Sequence, residues 1–122
     1  MNYFTIALQC IVSFSILNVW LVQANKNTPW RGGNAKSIIE EFQVYGLPVW
    51  SCYLIGTLKV LFALGLIAAI WFPSLRQICA LGLAFLLLGS IAMHLKISDP
   101  IKKSFPAFLF LCMCLYIAFP FY

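Results

Sequence analysis

Residues Leu47 to Phe72 read LPVWSCYLIGTLKVLFALGLIAAIWF and carry a single charge, Lys59, near the middle of the segment. About 20 apolar residues cross a bilayer as a helix, so this stretch is long enough to span. A lysine at mid-depth costs about 2.5–3.5 kcal/mol on insertion scales and therefore needs a reason to be there. The remainder of the chain reads as the bundle that houses this helix.

Composition agrees with that reading. The chain of 122 residues is 63% hydrophobic and 9% charged, whereas soluble domains carry about 25% charged residues. A single membrane domain over residues 1–122 follows. Eight Lys and Arg against three Asp and Glu leave a net charge of +5. In a membrane protein such an excess reports topology. No basic run with interleaved aromatics points to nucleic acid, which is excluded as a partner. Cys10, Cys52, Cys79, Cys112 and Cys114 all lie in apolar segments without a CxxC, and read as small packing residues. Cys112 and Cys114 point about 200° apart on a helix, and no metal-ligand spacing is present.

Working outward, the first apolar segment, about 2–24, lacks the basic start of a signal peptide and reads as an uncleaved first span. Its Gln9 and Ser13 share one face, and Ser15, Asn18 and Ile11 form a neighbouring stripe. Such residues face other helices. Asn25 to Gly46 is the longest polar stretch. Trp30 and Arg31 suit the headgroup layer, and with Gly32-Gly33 their amides are candidates for a small anion nest. Asn34 is a candidate N-cap for a surface helix over 35–45. That helix places Ile38, Ile39, Phe42 and Tyr45 on one face and Lys36, Glu40 and Gln43 on the other. It reads either as a lid on the bundle or as a docking element at the headgroups. The second span covers about 47–71, with Cys52, Gly56, Lys59 and Ala63 on one stripe. The third covers about 75–95, with Gly82, Leu86, Gly89 and Met93 on another. Small residues on these stripes let neighbouring helices approach. Ser90 and His94 are four apart at the end of the third span. His94, the only histidine, reads as an interfacial residue near the last carbonyls. The fourth span covers about 104–122 and is rich in aromatics. The fold class is all-α: four transmembrane helices and one short amphipathic surface helix between the first two.

Four spans put Lys26, Arg31, Lys36, Lys96, Lys102 and Lys103 on one side and Arg76 alone on the other. The positive-inside rule then places both termini outside the cytoplasm. At about 1.5 Å per residue, Lys59 and Tyr116 lie about 18 Å deep, Ser13 about 16 Å, and His94 within about 2 Å of the cytoplasmic end. Glu40, Glu41 and Asp99 fall outside the spans, which leaves Lys59 no intramembrane carboxylate within the chain. Three roles for the lysine stay open beside a merely tolerated one. It is neutral and bonded to Tyr116 or Ser13; or it is charged and snorkels along a cavity; or it meets an acidic group of a bound molecule or another subunit.

The segments EEFQVYGLP (Glu40 to Pro48), YLIGTLKVLFALGLI (Tyr53 to Ile67) and ALGLAFLLLGSIAMHLKISDP (Ala80 to Pro100) resemble, in order and spacing, the DoxX-like family of small four-helix membrane proteins. The resemblance covers Ser37 to Leu115. It implies a bacterial inner membrane and a link to membrane redox systems, including quinone-linked sulfur oxidation. Many relatives carry glutamate three residues after the glycine matching Gly56. Here that place is Lys59, so a role resting on the glutamate does not carry over.

The expected function is an accessory or anchor subunit of a redox-linked membrane complex, with other membrane subunits, a second copy of the chain and membrane lipid as partners. The alternative is a module binding a quinone or lipid around Lys59 and Tyr116, with Ser13, Gly56 and His94 as further contact candidates. A proton or ion pathway is a third reading with one lysine behind it. No catalytic set and no resident cofactor are evident in the sequence, which points away from an enzyme.

Overall fold

The computed structural model describes residues 3–22, 33 and 35–119. Its elements in order are α1 (Tyr3–Leu17), which runs into a π-helical turn (Asn18–Val22), α2 (Ile38–Val44), α3 (Val49–Ala68), α4 (Arg76–Lys96) and α5 (Phe105–Ala118). Short 3-10 turns at Pro73–Leu75 and Ile101–Ser104 lead into α4 and α5. Tyr3–Val22, Val49–Ala68, Pro73–Lys96 and Ile101–Ala118 are each long and apolar enough to cross a membrane. The protein is an all-helical integral membrane protein.

The four long helices close a ring: α1 packs on α3, α3 on α4, α4 on α5, and α5 back on α1. The core inside the ring holds Val12, Ala63, Leu66, Ala80, Leu83, Cys114 and Ile117, all fully buried. On the outside the large apolar side chains face outward, among them Phe14, Leu61, Phe85 and Phe108. Lipid tails are as apolar as leucine, so these faces cost nothing in a bilayer. Trp50 and Trp71 are exposed near the two ends of α3, about 30 Å apart at helical rise. That is the thickness of the hydrocarbon core, and tryptophan collects at its two boundaries.

Close approach depends on glycine at three places. A Cβ at Gly56 would lie 2.6 Å from the Trp20 ring, one at Gly65 2.6 Å from Cys79 Sγ, and one at Gly82 2.6 Å from Phe62. Gly89 differs: a Cβ there would meet nothing within 4 Å. On this stripe Gly82 makes the helix contact the spacing suggests, whereas Gly89 lines open space.

The surface helix is shorter than the 35–45 expected. Ser37 caps it, its hydroxyl accepting from the Glu40 amide at 3.2 Å while the Glu40 carboxylate lies 3.4 Å away. The spacing is that of a Ser-x-x-Glu capping box, but the carboxylate takes its hydrogen from the Ser37 hydroxyl and not from the Ser37 amide. Asn34, the expected cap, lies outside the described residues, as do Trp30 and Arg31. The amphipathic reading holds: Ile38, Phe42 and Tyr45 are buried, while Lys36, Glu40 and Gln43 are exposed. Ile38 and Phe42 pack on Cys52 of α3 and on Trp20.

Candidate functional site

The site grows from two helix ends. α2 closes with Gly46 at φ +81°, the Leu47 amide reaching the Phe42 carbonyl and the Gly46 amide the Gln43 carbonyl. α4 closes in the same way, with Ser98 at φ +58°, the Asp99 amide on the His94 carbonyl and the Ser98 amide on the Leu95 carbonyl. Both are Schellman caps. The second folds Asp99 back over the helix it has just left. Its Oδ2 lies 2.7 Å from His94 Nδ1. The carboxylate also accepts from the Gly33 amide at 3.1 Å, and Lys103 Nζ donates to the Gly33 carbonyl at 2.7 Å. Lys96 Nζ donates to the Tyr45 carbonyl at 2.9 Å. The two loops thus meet at one end of the bundle. Burial alone would raise the Asp99 carboxyl, but the His94 and Gly33 hydrogen bonds and the charge of Lys103 outweigh it and hold it below the ordinary carboxylate range.

His94 is 5% exposed. Its Nε2 lies 3.5 Å from the Tyr45 hydroxyl, a long contact, and that hydroxyl donates to Glu41 Oε1 at 2.6 Å. Asp99, His94, Tyr45 and Glu41 therefore form one string of polar groups running from the α4–α5 loop to the inner side of α2.

Lys59 meets the end of that string. Side chains on a helix lean toward its N-terminus, which for α3 is the α2 end. Lys59 is 7% exposed. Its Nζ donates to Ser90 Oγ at 3.1 Å and stands 5.5 Å from the centre of a Trp20 ring, within cation–π range. Ser90 passes its own hydrogen to the Leu86 carbonyl at 3.3 Å. Glu41 lines the same space as Lys59. Among the described residues, the only carboxylate lining the larger cavity is Glu41, which lies outside the spans, on the surface helix. Glu41 belongs to the surface helix, but one turn of α2 directs it under the lid instead of into solvent.

Two cavities adjoin the lysine. One, of about 170 Å³, reaches Trp20, Glu41, Lys59, Ser90, His94 and Lys103. The other, of about 520 Å³, lies beneath α2 between α3 and α4 and is lined by Trp20, Glu41, Lys59, Gly89, Ser90 and outward-facing Phe85, among others. His94, a contact candidate placed too shallow to meet Lys59 directly, shares the smaller cavity with it. Gly56 supports the site by giving Trp20 room.

Ser13 and Tyr116 line neither cavity. Tyr116 packs edge-on against Phe4, ring centres 5.3 Å apart. Phe4 lies about 24 Å along the first span from Trp20, so Tyr116 belongs to the opposite end of the bundle. Equal depth counted from helix ends therefore does not bring it to Lys59. Ser13 is fully buried with Thr5 and Gln9 on one stripe of α1. Gln9 Nε2 donates to the Leu66 carbonyl at 3.0 Å. Of the site residues, Glu41, Tyr45, Ser90, Asp99 and Trp20 were absent from the set expected to surround the lysine. The signals that could have found them are Ser37-x-x-Glu40, which sets the start of α2, and the Ser90–His94 spacing.

No curated protein and no solved structure matches the chain. The sequence profile of the DoxX-like family matches residues 31–117, a span that takes in α2, Lys59, Ser90, His94 and Asp99. The chain belongs to the DoxX-like family.

Proposed function

We propose that this protein is a membrane module that binds a small amphiphile, a quinone or a lipid, with its head group at Lys59. The observation that carries the reading is the pair of cavities meeting at Lys59, Ser90, Trp20 and Glu41, the larger with walls that include lipid-facing Phe85 and Leu88. Binding sites for such molecules are mostly apolar with a few convergent polar groups, and this is that arrangement. Lys59 supplies donors, Ser90 an acceptor, Trp20 a flat face, and α3 and α4 an apolar channel for a tail. In this reading the protein sits in a bacterial inner membrane with the α2 end in the cytoplasm.

The test is purification in lipid nanodiscs followed by extraction and mass spectrometry. An amphiphile retained by the wild type should be lost from Gly89→Leu, at a position lining the larger cavity where a Cβ meets nothing within 4 Å, and reduced in Lys59→Met. A wild type that retains nothing above the bulk lipid composition sinks the reading.

The accessory-subunit reading rests on the same α4 face. Open space above Gly89, with Ala92 beside it, leaves room for the helix of another membrane protein. In that case the same purification yields a stoichiometric partner chain, and Lys59→Met releases it.

A further inference from the structure

The connection between α4 and α5 carries two adjacent lysines that the fold uses differently. Lys103 turns inward, donating to the Gly33 carbonyl at 2.7 Å and standing 3.9 Å from the Asp99 carboxylate. Lys102 is exposed and has no hydrogen-bond or ion-pair partner among the described residues. Three residues make one turn of a 3-10 helix, so the turn Ile101–Ser104 sets Lys102 above Phe105, the first residue of α5. Ser104 precedes α5 but makes no side-chain cap bond to it.

Beside this turn a groove of about 530 Å³ opens between α4 and α5. Ile91 and Leu95, four apart on α4, form one wall, and Phe105 and Phe108, three apart on α5, form the other. These spacings keep each pair on one helix face. Leu95, Phe105 and Phe108 are all exposed, so the groove faces the lipid. Lys102 and Ser104 line it from the turn, where the spans Pro73–Lys96 and Ile101–Ala118 come together. An apolar cleft between two spans, with a cation at its polar end, matches a phospholipid: acyl chain, then phosphate. A lysine suits that position because its stem lies along apolar surface while its ammonium stays at the head groups. No carboxylate lines the groove, and Asp99, the acid nearest in sequence, is committed to His94. Residues 96–103 hold Lys96, Lys102 and Lys103 against Asp99 alone. A head-group ammonium would meet cations here, whereas a phosphate meets a donor.

We propose that the α4–α5 groove binds one anionic phospholipid, its acyl chain along Ile91, Leu95, Phe105 and Phe108 and its phosphate on Lys102 and the Ser104 hydroxyl. The groove shares no lining residue with the two cavities at Lys59, so this site stands independently of the amphiphile proposed there. One lysine at an anionic lipid surface corresponds to a preference of about fivefold.

The test titrates the full chain in detergent with dioleoyl phosphatidylglycerol and dioleoyl phosphatidylcholine, which differ only in head group, and counts bound lipid by native mass spectrometry. The wild type should prefer one phosphatidylglycerol by about fivefold. Lys102→Gln should erase the preference while phosphatidylcholine still binds. Lys36→Gln, at an exposed position outside the groove, should keep it. Leu95→Trp, at an outward-facing position, should fill the groove and reduce both adducts. Equal binding of the two lipids by the wild type overturns the site and leaves an unselective lipid belt. A preference lost equally in Lys36→Gln and Lys102→Gln overturns it as well, because the selectivity then belongs to the positive charge of that whole end. A preference that survives Lys102→Gln but falls in Lys59→Met assigns the anionic lipid to the other cavities. Adducts unaffected by Leu95→Trp overturn the groove as the place of the acyl chain.

Discussion

Asp99 shows how a single side chain acquires a role its place in the sequence does not suggest. It follows a helix and precedes a proline, which reads as turn chemistry. The αL residue before it turns its carboxylate onto His94, where it is also held by the Gly33 amide. Hydrogen bonds to a charged group contribute about 1.5–3 kcal/mol, so Asp99→Asn should destabilise the protein by about that amount near neutral pH. The sign of the pH dependence follows from the lowered carboxyl. The unfolded chain takes up the proton first, so the contribution is complete above the ordinary value of 3.8 and is lost as pH falls through the lower folded value. Thermal unfolding of wild type and variant should therefore differ at pH 7 and converge on strong acidification. A constant difference across that range would contradict the ion pair.

At the level of the element, α2 decides what Lys59 meets. It has only seven residues, too few to hold together without its cap and its packing on α3. The Ser37 cap is worth about 1 kcal/mol, and the first-turn glutamates suit the positive end of the helix. Ser37→Ala should raise amide exchange across 38–44 by several-fold while leaving α4 and α5 protected. Uniform loosening of the whole bundle would mean that α2 is not an independently frayed unit. The hydrophobic face of α2 is legible from Ile38, Phe42 and Tyr45, because helical period alone sets it. The position of Glu41 is not, since it flanks that face and either side of the helix could accept it. The packing of Ile38 and Phe42 on Cys52 and Trp20, with the Phe42 and Trp20 ring centres 6.1 Å apart, decides the rotation.

Across the whole molecule, charge and packing agree on which loops share an end. Gly33, Tyr45, Lys96, Asp99 and Lys103 are bonded to one another, which puts the 33–48 and 97–104 segments together and Arg76 at the far end. In a cysteine-free background, Lys36→Cys and Arg76→Cys should be labelled by a membrane-impermeant reagent from opposite sides. Lys36 should react only from the cytoplasmic side. Reaction of both from one side would break the four-span topology, and Lys36 reacting from outside would invert it.

By itself the sequence determined that this chain is four apolar helices with a short amphipathic surface helix and one lysine set within a span. Those features are local: twenty apolar residues span, and a period of 3.6 selects a face, whatever the neighbours do. The tertiary structure alone decided that Lys59 faces Ser90, Trp20 and Glu41 and not Ser13 or Tyr116. In lipid no hydrophobic force ranks one apolar face above another, so helix rotation and stagger rest on glycine contacts, caps and a few polar bonds. Those bring together residues as far apart as Tyr45 and His94, and no periodicity within either helix encodes that distance.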